Sequence, residues 1–338
     1  MVIDDDFFMS LAIAEAWKFQ LITYPNPAVG CVIVKNGEII AIEAHKEAGM
    51  PHAEVNAAKA AFLSKNYSTE LDCTQTSSQI SDFLINNHND FFKDCDFFVT
   101  LEPCNHFGKT PPCALLLEKL QPKRVIIGSI DPNNEASGGI TRFKNSNISI
   151  KIGVLKKQCD SLLFPFYLQS TNQGIRLFKL AQRLNGTFDD GAITSETTLK
   201  YLHKIREKID SLAIGGNTVR IDRPTLNCRF SNSNKAPNII IISRQQKFDQ
   251  TIPLFNIKNR NVSICNNIDI LENNQFIMFE GGDNLLNLVY NHINIFLFVV
   301  SVSSIGGVCN LKHKYENFEF LGTAQSGDEI LIWLKKRI

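Results

Sequence analysis

The sequence predicts an α/β chain of two consecutive domains, and three observations predict it. Strand-like apolar runs alternate with helix-patterned runs along most of the chain. At 338 residues, 44% hydrophobic and 20% charged, the chain is long enough for two ordinary domains. A polar stretch, Ser170-Thr171-Asn172-Gln173-Gly174, lies between two apolar segments and reads as the linker. The domains are therefore expected at 1–172 and 173–338.

In the first domain, Asp4 to Asp6 precede the apolar-rich run Phe7 to Trp17, a helix with acidic residues at its positive end. Val29 to Val34 and Glu38 to Ala44 are two β-rich runs joined by Asn36-Gly37, the dipeptide suited to a tight primed turn, so a hairpin is expected. Pro51-His52-Ala53-Glu54 opens a helical run, Val55 to Leu63. Residues 64–93 are rich in Ser, Thr, Asn and Gln and read as a surface insertion with a short helix at Ser78 to Ile85. Phe97 to Leu101 returns as a buried strand, and Pro112-Cys113 starts a helix through Leu120. Arg124 to Ile130 and Ile148 to Val154 are further strands, and Leu155 to Leu168 closes the domain as a helix.

Composition narrows the function. A formal charge of +1, with Lys and Arg spread along the chain, offers no field for a nucleic acid. Nine cysteines at irregular spacings do not form a disulfide framework. The chain begins without a basic segment and apolar core, and its most apolar later run, Ile293 to Val302, is too short to span a bilayer. A cytoplasmic protein with no membrane anchor is expected.

The chemistry is concentrated between Pro51 and Cys113. One imidazole (His52), two thiols (Cys104 and Cys113) and a carboxylate two residues from the imidazole (Glu54) match the ligand set of a catalytic zinc site. Three protein ligands leave the fourth position to water, whose pKa the metal lowers toward neutrality. Glu54, which is not a ligand, is placed to shuttle the proton. A His-x-Glu pair is common in helices and a lone Cys is usually a small hydrophobe. The conjunction is what singles out a zinc-dependent deaminase. Cys73, His88, Asp90 and Cys95 show no ligand spacing. Eight residues, Asn105 to Pro112, separate the two cysteines, where nucleic-acid deaminases have two.

The run Thr100-Leu101-Glu102-Pro103-Cys104-Asn105-His106-Phe107-Gly108-Lys109-Thr110-Pro111-Pro112-Cys113, with Tyr24-Pro25-Asn26-Pro27-Ala28-Val29-Gly30-Cys31 and His52-Ala53-Glu54, closely resembles the bifunctional deaminase/reductase family of riboflavin biosynthesis. The resemblance is specific over about residues 7–140. It implies a cytidine-deaminase-like α/β/α domain followed by a dihydrofolate-reductase-like α/β domain. Its substrate is a diaminopyrimidinone carrying a phosphoribosylamino group, and Zn2+ and NADPH are the cofactors. It places Asn26, His45, His106, Lys109, Asp131 and Asn133 at the substrate. The Lys109 cation and Thr110 hydroxyl suit a phosphate, and Asp131-Pro132-Asn133 ends a strand where ligands gather in open α/β sheets. Self-association through the C-terminal domain is a further expectation. Tyr24 stands where the family commonly has His.

The second domain alternates strand-like and helical runs: Ile175 to Leu184, Glu196 to Ile209, Ser211 to Ile214, Asn238 to Ile242, Asn261 to Cys265, Gln275 to Phe279, Leu285 to His292, Ile293 to Val302, Phe318 to Leu321 and Glu329 to Leu334. Gly215-Gly216-Asn217-Thr218 and Glu280-Gly281-Gly282-Asp283-Asn284 each follow a strand, where backbone amides can cradle phosphate. A Gly-Gly turn there is more often structural. The resemblance places NADPH near Thr218, Asp222, Ser243 and Gly282, and substrate near Lys179, Arg206, Leu226, Arg229 and Glu280. The chain departs from the family's pattern at Arg183, Asn185, Leu199 and Arg223 and in a shortened loop from Thr187 to Ala192. A deaminase with a non-catalytic C-terminal dimerisation or ligand-binding domain is therefore the alternative to a bifunctional enzyme.

Overall fold

The computed structural model describes the chain except residues 1–2, 67, 75, 109, 134–137, 145, 189–190, 232, 234, 267, 269–275, 304–317 and 338. It divides into two compact units, Met1–Ser170 and Thr171–Ile338. The division falls inside the polar stretch, where the sequence placed the boundary after residue 172.

In the first unit, helix α1 (Asp5–Trp17) is capped by Asp4, whose side chain accepts from the Phe7 amide. Strands β1 (Gly30–Lys35) and β2 (Glu38–Ala44) pair antiparallel. Asn36 and Gly37 both take positive φ, 52° and 83°, as a primed turn demands. Helix α2 (Ala53–Lys65) follows, then α3 (Thr69–Cys73) and α4 (Ser77–Asn87). The expected insertion is thus two helices rather than one: Ser68 caps the first, and Leu71, Ile80 and Leu84 bury against the core that α2 also covers. Strand β3 (Cys95–Leu101), helix α5 (Cys113–Leu120), strand β4 (Arg124–Ser129), the short helix α6 (Gly139–Phe143), strand β5 (Ser149–Ile152) and helix α7 (Lys156–Ser170) complete the unit.

The sheet order is β2-β1-β3-β4-β5, with β3, β4 and β5 parallel. Alternation along β3 sorts the two faces. Phe97 and Val99 join the core with Ala57, Ala61 and Leu116, while Phe98 meets Phe8 of α1 at 5.1 Å between ring centres. Two parallel neighbours, β3 and β4, therefore end side by side, and the chemistry is carried on the segments leaving them.

In the second unit the sheet has eight strands in the order β12-β13-β11-β6-β10-β7-β8-β9. They are β6 (Ile175–Arg183), β7 (Ser211–Gly215), β8 (Asn238–Ile242), β9 (Val262–Cys265), β10 (Phe276–Glu280), β11 (Ile295–Ser301), β12 (Phe318–Ser326) and β13 (Glu329–Lys336). Strands β11, β6, β10, β7, β8 and β9 run parallel, and the β12/β13 hairpin adds antiparallel to β11. Helices α8 (Glu196–Lys208), α9 (Gly216–Asp222) and α10 (Asp283–Val289) connect them. Leu285, Leu286 and Val289 of α10 pack on Phe178, Ala213, Ile240 and Phe279. Among the described residues no helix is long and apolar enough to cross a membrane.

Candidate active site

His52 is the N-cap of α2, Cys113 is the first residue of α5 behind Pro112, and Cys104 lies just beyond the end of β3. Each side chain is thus held at the end of a regular element. Nδ1 of His52 is 3.6 Å from Cys104 Sγ and 3.4 Å from Cys113 Sγ. A tetrahedral zinc with ordinary bond lengths sets nitrogen and sulfur about 3.6 Å apart, so the donor set fits the metal. Among the described residues these three side chains form the single metal-ligating cluster. Nδ1 is the nitrogen turned toward both sulfurs, and Nε2 faces the Thr110 hydroxyl at 3.5 Å.

Charge at the site follows from burial. Without metal, Cys104 is held down to about 4, first by its hydrogen bond from the Cys113 thiol and then by His52, against the cost of burial. Cys113 is pushed up by the same bond, by burial and by Glu54. One sulfur carries the charge, and a bound metal would deprotonate the other. Glu54 is buried in the first turn of α2, and its carboxyl is raised to about 7 by burial and by Cys104, with His52 opposing.

A cavity of about 360 Å³ opens onto these groups, within the range of small-molecule sites. Asn26, His45, His52, Glu54, Cys104, His106, Asp131 and Asn133 all line it. Lys109 lies outside the described residues, as do residues 134–137 of the loop beyond Asn133. His45 spends both ring nitrogens on the protein. Its Nδ1 is 3.1 Å from the Pro51 carbonyl, which can only accept, so Nε2 accepts from Asn26 Nδ2 at 3.1 Å. Burial and His52 keep it neutral, with a pKa near 4. His45 therefore fixes Asn26 and the residue before the ligand histidine.

Sequence reasoning quoted Glu102 but gave it no role. Its buried carboxylate accepts from the amides of Gly138 (3.0 Å), Ile140 (3.2 Å) and Asp131 (3.4 Å), tying the loop after β4 to the cysteine segment. A Cβ on Gly139 would lie 2.0 Å from the Pro103 carbonyl oxygen, so glycine permits that approach. Met50 and Phe166, also unassigned from sequence, give the cavity apolar wall.

In the second unit a cavity of about 1000 Å³ lies at the carboxyl ends of β7, β8 and β10. Thr218, Ser243 and Gly282 line it, as expected of cofactor residues, together with Arg220, Arg244 and Phe188. Asp222, at the end of α9, is exposed and off that lining. Of the expected substrate residues, Lys179, Arg206 and Glu280 form one cluster: Glu280 Oε1 is 2.9 Å from Arg206 and Oε2 is 3.6 Å from Lys179. Burial would raise the Glu280 carboxyl, but these two cations outweigh it and hold it at about 2. Leu226 is buried, and Arg229 is exposed with its guanidinium 4.9 Å over Phe230.

The two units thus define a two-domain protein, the first half built around a zinc site of the cytidine-deaminase kind and the second a parallel α/β sheet with a large carboxyl-end cavity. The family profile "Cytidine and deoxycytidylate deaminase zinc-binding region" matches residues 2–129, and "RibD C-terminal domain" matches residues 183–290. The riboflavin biosynthesis protein RibD of Aquifex aeolicus is 33% identical over 245 residues, 70% of this chain and 61% of that protein. RibD of Buchnera aphidicola is 35% identical over 238 residues, 68% of this chain and 56% of its own length. The matched part therefore spans about three fifths of these relatives. A Thermotoga maritima crystal structure, titled a diaminohydroxyphosphoribosylaminopyrimidine deaminase/5-amino-6-(5-phosphoribosylamino)uracil reductase, superposes with a TM-score of 0.63 at 25% identity, covering 98% of this chain and 99% of its own. Acinetobacter baumannii RibD has the same fold, with a TM-score of 0.62 at 24% identity, covering 99% of each chain. The chain belongs to the RibD family of riboflavin biosynthesis proteins.

Proposed function

We propose that this chain deaminates 2,5-diamino-6-(5-phosphoribosylamino)pyrimidin-4-one by hydrolysis and then reduces the ribosyl group to ribityl with NADPH. The observation that carries the first step is the buried Glu54 carboxyl beside a three-ligand donor set at the floor of a 360 Å³ cavity. A zinc ion held by His52, Cys104 and Cys113 supplies a water acidic enough to lose its proton near neutral pH.

Glu54 accepts that proton on a carboxylate oxygen as the oxygen attacks the amino-bearing ring carbon, and delivers it to the adjacent ring nitrogen. A second proton passes through Glu54 to the departing amine, so one water is consumed and one ammonia released. Asn26, held by His45, and the Asp131-Asn133 turn, held by Glu102, position the pyrimidine and its substituents. The apolar wall at Met50 and Phe166 limits the water reaching the ring.

For reduction, bound NADPH would supply a hydride to the carbonyl carbon of the opened ribose, and the carbonyl oxygen takes its proton from solvent. Thr218, Ser243 and Gly282 hold the dinucleotide, while Lys179 and Arg206 face the substrate with Glu280 ionised between them. Self-association through the second unit and a cytoplasmic location belong to the same reading.

The test is one reaction of zinc-loaded protein, the diaminopyrimidinone ribosyl phosphate and NADPH, with ammonia and NADPH followed together. Equal amounts of ammonia released and NADPH oxidised support both halves. Ammonia with NADPH left reduced leaves a deaminase carrying a binding or dimerisation module, and neither signal overturns the reading.

A further inference from the structure

The segment from Pro224 to Arg229 is held in an unusual way. Leu226 sits in the left-handed region, φ 54°, which a leucine enters only when its surroundings hold it there. Those surroundings are two guanidinium groups. Arg260 donates from one terminal nitrogen to the Thr225 carbonyl at 2.8 Å and from the other to the Leu226 carbonyl. Arg206 donates to the next carbonyl, that of Asn227, at 2.9 Å. Three successive carbonyls therefore point at arginines.

In a trans peptide the carbonyl and the following amide point in opposite directions. The amides of Leu226 and Asn227 consequently face away from Arg260, and among the described residues neither has a protein acceptor. Adjacent amides turned the same way beside a left-handed residue make a concavity for an anion. Its electrostatics agree. Glu280 neutralises Arg206, whereas Arg260 has no carboxylate partner among the described residues, so its charge stands uncompensated beneath the segment. Arg229 adds an exposed guanidinium on the same segment, with one nitrogen 3.4 Å from the Asn227 side-chain oxygen.

We propose that Arg260 is a positioning residue for the phosphate of the reductase substrate: it clamps two carbonyls so that the amides of Leu226 and Asn227 meet the anion, with Arg229 beside them. The proposal rests on the reductase reading above. Arginine is required because its planar fork spans two carbonyls, which a lysine ammonium does not do with the same geometry.

The experiment uses zinc-loaded full-length protein, with Arg260→Met and Arg260→Lys. Turnover with NADPH is measured on the deaminated phosphoribosyl compound and on its dephosphorylated counterpart, with inorganic phosphate as competitor. For Arg260→Met we expect KM for the phosphorylated substrate to rise about tenfold or more, phosphate inhibition to weaken in parallel, and kcat and KM for NADPH to stay within about twofold. The dephosphorylated substrate should be unaffected, and added guanidinium ion should restore part of the loss. Arg260→Lys, which keeps the buried charge, should fold and fall between.

Equal losses on both substrates, or a raised KM for NADPH, would reduce Arg260 to a structural role and overturn the proposal. So would unchanged kinetics in both variants. If the wild-type chain oxidises no NADPH, the reductase reading fails separately, and calorimetric binding of inorganic phosphate decides the matter. Binding about tenfold weaker in Arg260→Met then supports the cradle, and equal or absent binding overturns it.

Discussion

Glu54→Gln preserves the size of a buried side chain and removes its ability to carry a proton. The size of the effect follows from what else is in the cavity. The Glu102 carboxylate is committed to the amides of Gly138, Ile140 and Asp131, and Asp131 accepts from the Asn133 amide at 2.8 Å. Glu102 is therefore not free to take over, and Asp131 has one oxygen committed to the turn after β4. General acid–base catalysis contributes about 10²–10⁴-fold for a positioned group, and Glu54 serves two successive transfers. We therefore expect kcat for ammonia release to fall by about 10⁴-fold or more, equivalent to about 5.5 kcal/mol of barrier. The assay is ammonia release at saturating substrate, with zinc content measured on the same sample. A Gln variant with full zinc and a kcat within about 100-fold of wild type would refute the role assigned to Glu54.

Chelating the zinc should abolish ammonia release while NADPH oxidation on already deaminated substrate persists, because the residues lining the second cavity all lie in Thr171–Ile338; parallel loss of both would count against two separate sites. Glu280→Gln should destabilise the second unit at neutral pH by about 3 kcal/mol, the equivalent of a carboxyl moved from 4.5 to about 2 by Arg206 and Lys179. Because the folded pKa is depressed, that stability is fully present above about 4.5 and is lost as pH falls toward 2. Urea unfolding at pH 7 and pH 4 should therefore show a gap between variant and wild type that narrows on acidification. Gly139→Ala should push Pro103 and with it Cys104, at a cost of about 1–3 kcal/mol; reduced zinc retention with an intact second unit is the expected readout, and unchanged zinc content would show that the approach of Gly139 to Pro103 is slack.

How much of this was legible depended on whether the determinant was local. Asn36-Gly37 announces its turn because two positive φ angles are needed and those residues accept them. The ligand set was legible for the same reason. His52 and Cys113 sit at helix starts that Pro51 and Pro112 mark, and β3 delivers Cys104. The first helix of the insertion, α3, was missed because its core-facing signal is short: Leu71 is its single buried residue. Glu102 and Arg260 escaped because their partners lie some 30 residues away and are backbone groups, which no side-chain pattern records. Leu226 carries no mark of its left-handed backbone, and Arg260, which donates to its carbonyl, lies far from it in sequence.

The departures in the C-terminal half acquire a physical meaning once their contacts are known. Arg223 ends α9 in the left-handed conformation, φ 43°, and its guanidinium reaches Asp249 at 2.8 Å and the Thr251 hydroxyl at 2.6 Å. The side chain ties down the loop before residue 252 instead of facing a ligand. Asn185 accepts from the Thr187 hydroxyl at 2.9 Å, and the Arg183 amide donates to the Thr187 carbonyl at 2.8 Å, so the turn from Arg183 to Thr187 is closed on itself. None of Arg183, Asn185, Leu199 or Arg223 lines the 1000 Å³ cavity, whereas Thr218, Ser243 and Gly282 do. Arg223 and Asn185 thus act as tethers beside the cavity, while the shortened loop reaches its lining through Phe188. The charged cluster of Lys179, Arg206 and Glu280 is complete, which is why equal ammonia release and NADPH oxidation is the outcome we expect.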